Sequence, residues 1–320
     1  MFKSCYGGQQ KRFVVTVNSN PQVTGNRSTV TPPLLVIVGE TASGKSALAL
    51  KIAQEYNGEI ICADSWTVRR EVNIGTAKLT AIEMMSVPHH LLNIVGPDED
   101  FTAAVFKGLA LQKINEITAR GRLPILVGGT GLYIDGVLFD YSFLDEGDRT
   151  ARASLNALTV PELLQKINAI GLELGDVDTQ NKRRLIRLIE TSGAQPTRSE
   201  LRTNTLLLGL KLERDELNQR IEKRVDRMLA AGLEGEVRQL AEHYGWDCEA
   251  LKGVGYAQWK NYVLGDQTLE ETRSKIIKAT KDLAKRQRTW FLRNKKIHWL
   301  DTPVNEDEIE QITTSFLRTE

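Results

Sequence analysis

Leu34-Leu35-Val36-Ile37-Val38-Gly39-Glu40-Thr41-Ala42-Ser43-Gly44-Lys45-Ser46, running on into Ala47–Tyr56, is the stretch that decides the fold. The apolar run Leu34–Val38 reads as a buried strand. Gly39–Ser46 then fits G-x-x-x-x-G-K-[ST], and the pattern continues as a helix. Strand, glycine-bearing loop and helix in that order build a site for a polyphosphate, because loop amides and the helix N-terminus converge on one point. Lys45 would reach the terminal phosphate, and the Ser46 hydroxyl would hold Mg²⁺. Gly39, Glu40, Thr41, Ala42, Ser43, Gly44, Lys45 and Ser46 are therefore the candidate phosphate-binding residues, in the pattern of nucleotide- and ATP-binding loops. The motif leaves open which phosphate compound is held.

Outward from this stretch, short β-branched runs alternate with longer helical ones. Leu34–Val38, Glu59–Ala63, Leu123–Val127 and Thr205–Leu212 read as strands; Ser46–Tyr56, Thr102–Arg120, Arg214–Glu242 and Leu269–Leu292 read as helices. The alternation predicts an α/β fold, a P-loop-type parallel sheet flanked by helices, with ligands beyond the carboxyl ends of the strands. The 39–46 loop, Asp64 and Gly128-Gly129-Thr130 all fall at such ends. Strand signals vanish between about 139 and 191, which predicts a small helical insertion at 141–190 within a core of 34–140 and 191–320. Residues 1–33 carry glycines, asparagines and prolines with no acid, and read as a disordered extension with one possible edge strand at Phe13–Val17.

Asp64, at the tip of Ile60-Ile61-Cys62-Ala63-Asp64-Ser65, suits a general base, a magnesium ligand of the outer sphere, or the cap of the following turn. Thr130 follows paired glycines that let a backbone approach a ligand; it reads as a phosphate donor or as an ordinary strand-to-helix turn. Arg220 and Arg224 share one helical face, where each is a solvated charge or a bidentate clamp on phosphate. Lys182-Arg183-Arg184 with Arg187 forms one basic cluster. From Arg273 to Lys296 ten lysines and arginines face a single acid, Asp282, with Ile276, Ala279, Leu283 and Trp290 expected toward the core. That imbalance favours a track for a nucleic-acid backbone. His89-His90 has no ligand-spaced partner and reads as structural.

With 41% hydrophobic and 26% charged residues and a net charge of +1, the chain of 320 residues has the composition of an ordinary soluble protein. Cys5, Cys62 and Cys248 are too few and too scattered for a disulfide framework or a metal cluster, which suits the cytosol. No apolar run approaches the ~20 residues of a membrane span, and Met1–Gln10 lacks the apolar segment of a signal peptide.

Several motifs in order carry a resemblance from about Leu34 to Asp301: GETASGKS (39–46), ADS (63–65), IGTAK (74–78), PHHLL (88–92), ITARGRLPILVGGTGLY (117–133), RRLIRLIE (183–190), RIEKRVDRML (220–229), VGY (254–256) and LAKRQRTWF (283–291). Together they resemble the tRNA dimethylallyltransferases, also called tRNA isopentenyltransferases. The resemblance implies transfer of a dimethylallyl group from dimethylallyl diphosphate to N6 of adenosine 37, beside the anticodon of tRNAs that read codons beginning with U. It implies Mg²⁺ as cofactor, and tRNA and dimethylallyl diphosphate as partners. A cytoplasmic monomer is expected. Asp64 would take the amine proton, and Lys45, Thr130 and Arg224 would neutralise the leaving diphosphate. Contacts to tRNA are implied at Asp64, Ser65, Trp66 and Thr67, at Arg183, Arg184, Leu185, Ile186 and Arg187, and at Lys252, Gly253, Val254, Gly255, Tyr256 and Ala257, with the insertion gripping the anticodon arm. Three departures stand out: Glu40 replaces a common proline, Arg69 replaces an aromatic, whose surface Trp66 is expected to supply, and the insertion looks abbreviated. A free-adenylate isopentenyltransferase, a P-loop small-molecule kinase and a non-catalytic RNA-binding module are the competing readings. The long cationic track disfavours the first of these.

Overall fold

The computed structural model describes residues 31–80, 84–144, 149–175, 177–194 and 196–318. The expectations placed on residues 1–30 lie outside them. The described chain divides into two compact units, Phe139–Leu201 and the remainder.

The larger unit runs β1 (Leu34–Gly39), α1 (Lys45–Glu55), β2 (Gly58–Ala63), β3 (His89–His90), α2 (Ala103–Ala119), β4 (Leu123–Gly128) and α3 (Gly131–Leu138). The smaller unit holds α4 (Arg149–Ala157), α5 (Val160–Ala169) and α6 (Lys182–Glu190). The larger unit resumes with β5 (Thr205–Lys211), α7 (Arg214–Ala230), α8 (Leu233–Tyr244), α9 (Leu269–Phe291), β6 (His298–Asp301) and α10 (Glu306–Arg318). The strands form one parallel sheet in the order β3-β2-β4-β1-β5-β6. β1 and β4 are buried at every position, as their unbroken apolar runs require of strands covered on both faces. Leu35, Ile37, Ile125 and Leu208 of the sheet pack with Ala49 and Ile52 of α1 and Ile309 of α10.

All four expected strands are present. β3 and β6, at the two edges, were not expected: two and four residues are too short to show a period, and only pairing with β2 and β5 defines them. β3 is also tied down electrostatically. Glu59 of β2, 2% exposed, accepts hydrogen bonds from His90 (2.6 Å), Arg120 (2.7 Å) and Arg122 (3.2 Å). Its neighbours, led by Arg120 and then His90, hold its carboxyl below the usual range against the cost of burial. The helix expected at Arg214–Glu242 is two helices, broken at Gly232, which adopts φ 93°; the apolar period runs through the break and hides it. In α9 the buried stripe is Thr272, Ile276, Ile277, Ala284, Gln287 and Phe291. Ala279, Leu283 and Trp290, expected in the core, are only half-buried.

The smaller unit is wider than the 141–190 stretch expected. Its two ends are joined by hydrogen bonds from Ser142 N–H to the Thr197 carbonyl (3.0 Å) and from Ser199 N–H to the Phe139 carbonyl (2.7 Å), so the polar residues after α6 belong to it. Leu155, Leu163, Ile167, Leu185, Ile186 and Leu188 make its core. A capping box of Thr159 and Glu162 starts α5, and Asn181 caps α6.

Candidate functional site

Register brings the candidate residues together. Ala63 of β2 and Val38 of β1 both pair with Gly128 of β4, so Asp64, the 39–46 loop and Gly129-Thr130 leave the sheet as neighbours on the same end. Gly128 permits this spacing, because a Cβ there would lie 1.9 Å from the Ala63 carbonyl oxygen. The loop ends at Gly44, whose φ of 95° favours glycine. α1 starts directly after it, with no side-chain cap and no acid in its first turn. Its first amides therefore remain open to an anion.

A cavity of 140 Å³ opens at this end of the sheet. Thr41, Lys45, Ser46, Asp64, Lys78 and Arg224 make its polar wall; Ala49, Ile60, Cys62, Leu79, Leu92 and Val127 make an apolar one. Of the residues expected to carry chemistry, Lys45, Ser46, Asp64 and Arg224 line it. Thr130 stands beside it, where its hydroxyl accepts the Ser65 N–H at 3.1 Å. Glu40 is 5% exposed, and burial raises its carboxyl pKa while Arg288 and then Lys45 oppose the rise.

Asp64 is held as a turn cap. Its Oδ1 accepts the N–H groups of Trp66 (2.8 Å) and Thr67 (3.2 Å). Among the described residues no hydrogen bond reaches its Oδ2, which leaves a second oxygen for a proton at the cavity. The Lys45 ammonium donates to the Glu40 carbonyl at 3.0 Å. Burial, and then the neighbouring Arg224, bring the Lys45 pKa down to about 8, with Asp64 and Glu40 opposing. Arg224 donates to the Thr76 carbonyl at 2.9 Å; burial lowers its pKa and Asp64 opposes the change. Three charges of the cavity thus share one field. Arg220 pairs with Glu216 at 2.6 Å and does not line the cavity.

The loop carrying Thr76 and Lys78 is organised from α8. The Glu236 carboxylate accepts the N–H groups of Asn73 (2.9 Å), Ile74 (2.9 Å) and Gly75 (3.2 Å), and the Tyr256 hydroxyl at 2.6 Å. Lys78 donates to the Arg69 carbonyl and to Asn93 Oδ1 (2.6 Å); burial brings its pKa down to about 8. Sequence reasoning missed Glu236, the role of Lys78, and Gln287. For Gln287 a signal existed: it is an amide at a core position of a helix, and a buried amide requires partners.

Other expected contacts are placed differently. Arg69 is 6% exposed and its guanidinium donates to the carbonyls of Gly96 (3.2 Å) and Glu99 (2.6 Å). It braces a loop, with its guanidinium 6.0 Å from the centre of the half-buried Trp66 ring. Tyr256 is 1% exposed, and Gly253 packs beneath the Trp66 ring, which a Cβ would approach to 2.9 Å. The 252–257 segment therefore supports the two loops, with only Lys252 and Ala257 exposed. In α6 the Leu185 and Ile186 side chains lie in the core of the smaller unit, while Arg183 and Arg184 are exposed. Arg187 is engaged by Glu190 (3.5 Å) and the Leu144 carbonyl (2.5 Å). The basic run on α9 is partly compensated, contrary to expectation: Arg273 pairs with Asp226 and Lys281 with Glu222, each at 2.7 Å. No described helix is long and apolar enough to cross a membrane.

Fold and site define a parallel α/β protein with an uncapped helix start at the carboxyl end of its sheet, beside a carboxylate and an apolar wall. Known proteins share this fold. The IPP transferase family profile matches residues 67–295. The tRNA dimethylallyltransferase of Bacillus cytotoxicus is 38% identical over 295 residues, 87% of this chain and 92% of that protein. The crystal structure of the full-length tRNA isopentenylpyrophosphate transferase of Bacillus halodurans superposes with a TM-score of 0.71 at 38% identity, over 90% of this chain and 97% of that one. A eukaryotic dimethylallyltransferase, crystallised acting on tRNA, superposes with a TM-score of 0.75 at 26% identity, over 91% of this chain and 80% of the other. The chain belongs to the IPP transferase family.

Proposed function

We propose that this protein is a tRNA dimethylallyltransferase that moves a dimethylallyl group from dimethylallyl diphosphate to N6 of adenosine 37. One observation carries the reading. A single small cavity joins an anion-binding loop and two cations to an apolar wall, with a carboxylate at the junction. An allylic diphosphate has that distribution of polarity; a nucleoside triphosphate does not. The relatives named above are called tRNA dimethylallyl- or isopentenylpyrophosphate transferases, which supports the reading.

In this reading the diphosphate rests on the 39–46 loop, and the five-carbon chain lies against Ile60, Cys62 and Val127. The allylic C–O bond breaks with its electron pair passing to the diphosphate. Lys45, Arg224 and the first amides of α1 stabilise the charge that collects there. The N6 lone pair of the adenine forms the new C–N bond, and the N6 proton passes to Asp64. The adenine reaches the cavity by leaving its stack, which in a single-stranded loop costs about a few kcal/mol. Among the described residues no cluster of three or more His, Cys, Asp or Glu could hold a metal. The Ser46 hydroxyl offers a hard oxygen donor of the kind magnesium prefers, and the ion would take its remaining ligands from the diphosphate and water. When bound it would supply charge neutralisation to the leaving group. The cationic face of α9, together with Arg183 and Arg184, supplies the phosphate contacts of the RNA. The enzyme acts as a cytoplasmic monomer.

Incubation of the purified protein with labelled dimethylallyl diphosphate and either an anticodon stem-loop or AMP tests this. Label in the stem-loop at the adenosine beside the anticodon is expected. Label in AMP alone would make the protein a free-adenylate enzyme, and phosphoryl transfer from ATP without prenylation would make it a kinase.

A further inference from the structure

The buried stripe of α9 contains one amide side chain, Gln287, 9% exposed. Neither of its hydrogen bonds serves its own helix. Its Oε1 accepts the Thr41 N–H at 2.7 Å, and its Nε2 donates to the Gly129 carbonyl at 3.1 Å. Thr41 belongs to the loop after β1 and Gly129 to the loop after β4, so one side chain spans the two turns that flank the phosphate end of the cavity. The fit is tight. A Cβ at Gly129 would lie 2.3 Å from Nε2 and 3.5 Å from the Gly39 carbonyl oxygen. Gln287 also lines the cavity.

We propose that Gln287 is a positioning residue for group transfer, setting the separation of the two loops so that the diphosphate and the base are held at reacting distance. This rests on the reading of the cavity as the donor site. The chain of contacts is continuous. From Gln287 it runs to Gly129, to Thr130, whose hydroxyl takes the Ser65 N–H, and so to the turn that Asp64 caps. On the other side it runs through Thr41 to the loop that ends in Lys45. An apolar side chain of similar volume would fill the space but leave the Thr41 N–H and the Gly129 carbonyl unpaired. The Thr41 amide is already committed to Gln287, so the anion is gripped by amides further along the loop.

The test compares Q287A and Q287E with the wild-type protein. Binding of inorganic pyrophosphate and of the RNA stem-loop is measured by calorimetry, and prenylation kinetics are measured in parallel. Q287A is expected to weaken pyrophosphate about tenfold and lower kcat about 10²-fold, as loss of reactant positioning does. Its RNA affinity is expected to stay within about twofold of wild type, because the phosphate contacts lie elsewhere. Q287E keeps the acceptor for Thr41 but sets a carboxylate against the Gly129 carbonyl. Protonation restores the missing donor, so its kcat/KM relative to wild type should rise about threefold or more between pH 8 and pH 6. Glu40, Lys45 and Arg288 near the loop are common to both proteins and cancel in that ratio. Should Q287A fail to fold, the pH ratio of Q287E decides alone. A flat ratio, or wild-type pyrophosphate affinity and turnover in either variant, overturns the role of Gln287. Wild-type protein that binds neither pyrophosphate nor dimethylallyl diphosphate overturns the donor-site reading instead.

Discussion

Replacing Glu236 with alanine separates the loop chemistry of this fold from its core packing. The carboxylate stands outside the cavity yet accepts four hydrogen bonds, three from the amides of residues 73–75 and one from Tyr256. The Tyr256 ring packs under Gly75, where a Cβ would lie 2.5 Å from it, and the residue is 1% exposed. Its hydroxyl cannot turn to water, so the orphaned O–H costs about 1–3 kcal/mol. The three amides sit in a half-exposed loop and recover hydration in part. Each charge-assisted bond is worth about 1.5–3 kcal/mol, and the values do not add. A total loss of about 3–5 kcal/mol follows, at the upper end for a single substitution. At about 2–4 °C per kcal/mol, the melting temperature should fall by about 6 °C or more. Glu236→Gln keeps one acceptor and should lose roughly half as much. The functional effect runs through Thr76, whose carbonyl holds Arg224 at 2.9 Å. Once the loop is released, the KM for the diphosphate donor should rise more than the KM for RNA. Scanning calorimetry with donor and RNA titrations measures both parts. A melting point within about 2 °C of wild type, or equal changes in the two KM values, would refute the chain from Glu236 to Arg224.

Three further outcomes follow. Asp64→Asn keeps an acceptor for the Trp66 and Thr67 amides but removes the base, so turnover should fall about 10²-fold or more with RNA binding intact; single-turnover kinetics near wild type would remove Asp64 from proton transfer. Lys45, with its pKa near 8, is charged below that pH and neutral above it. Donor binding should therefore draw about one proton from solution at pH 9 and almost none at pH 6.5, as calorimetry in buffers of different ionisation heat would show. Lys45→Arg should abolish the difference, and Lys78 is the residue implicated if it does not. Neutralising Arg183 and Arg184 together should reduce the slope of log affinity against log salt by about one to two for an RNA stem-loop. An unchanged slope would place the RNA elsewhere. Arg187 is better left in place, because it is committed to Glu190 and Leu144.

The strand, loop and helix that build the proposed anion site were legible in the sequence because they are contiguous between Leu34 and Tyr56, and local periodicity with a few glycines specifies all three. The meeting of Asp64 and Thr130 with that loop was legible for a related reason: in a parallel sheet every strand ends on the same side, so residues following strands become neighbours. The edge strands β3 and β6 carry too few residues to show a period, and their pairing partners alone define them. Arg69, Tyr256, Leu185 and Ile186 belong to recognisable motifs, yet burial turned them into supports, since burial depends on what the rest of the chain places above them. Gln287 and Glu236 lie furthest from the reach of sequence. Their partners are 246 and 162 residues away, and a hydrogen bond across such a separation leaves no local pattern. It exists only because a packed core holds a helix against a loop at about 3 Å.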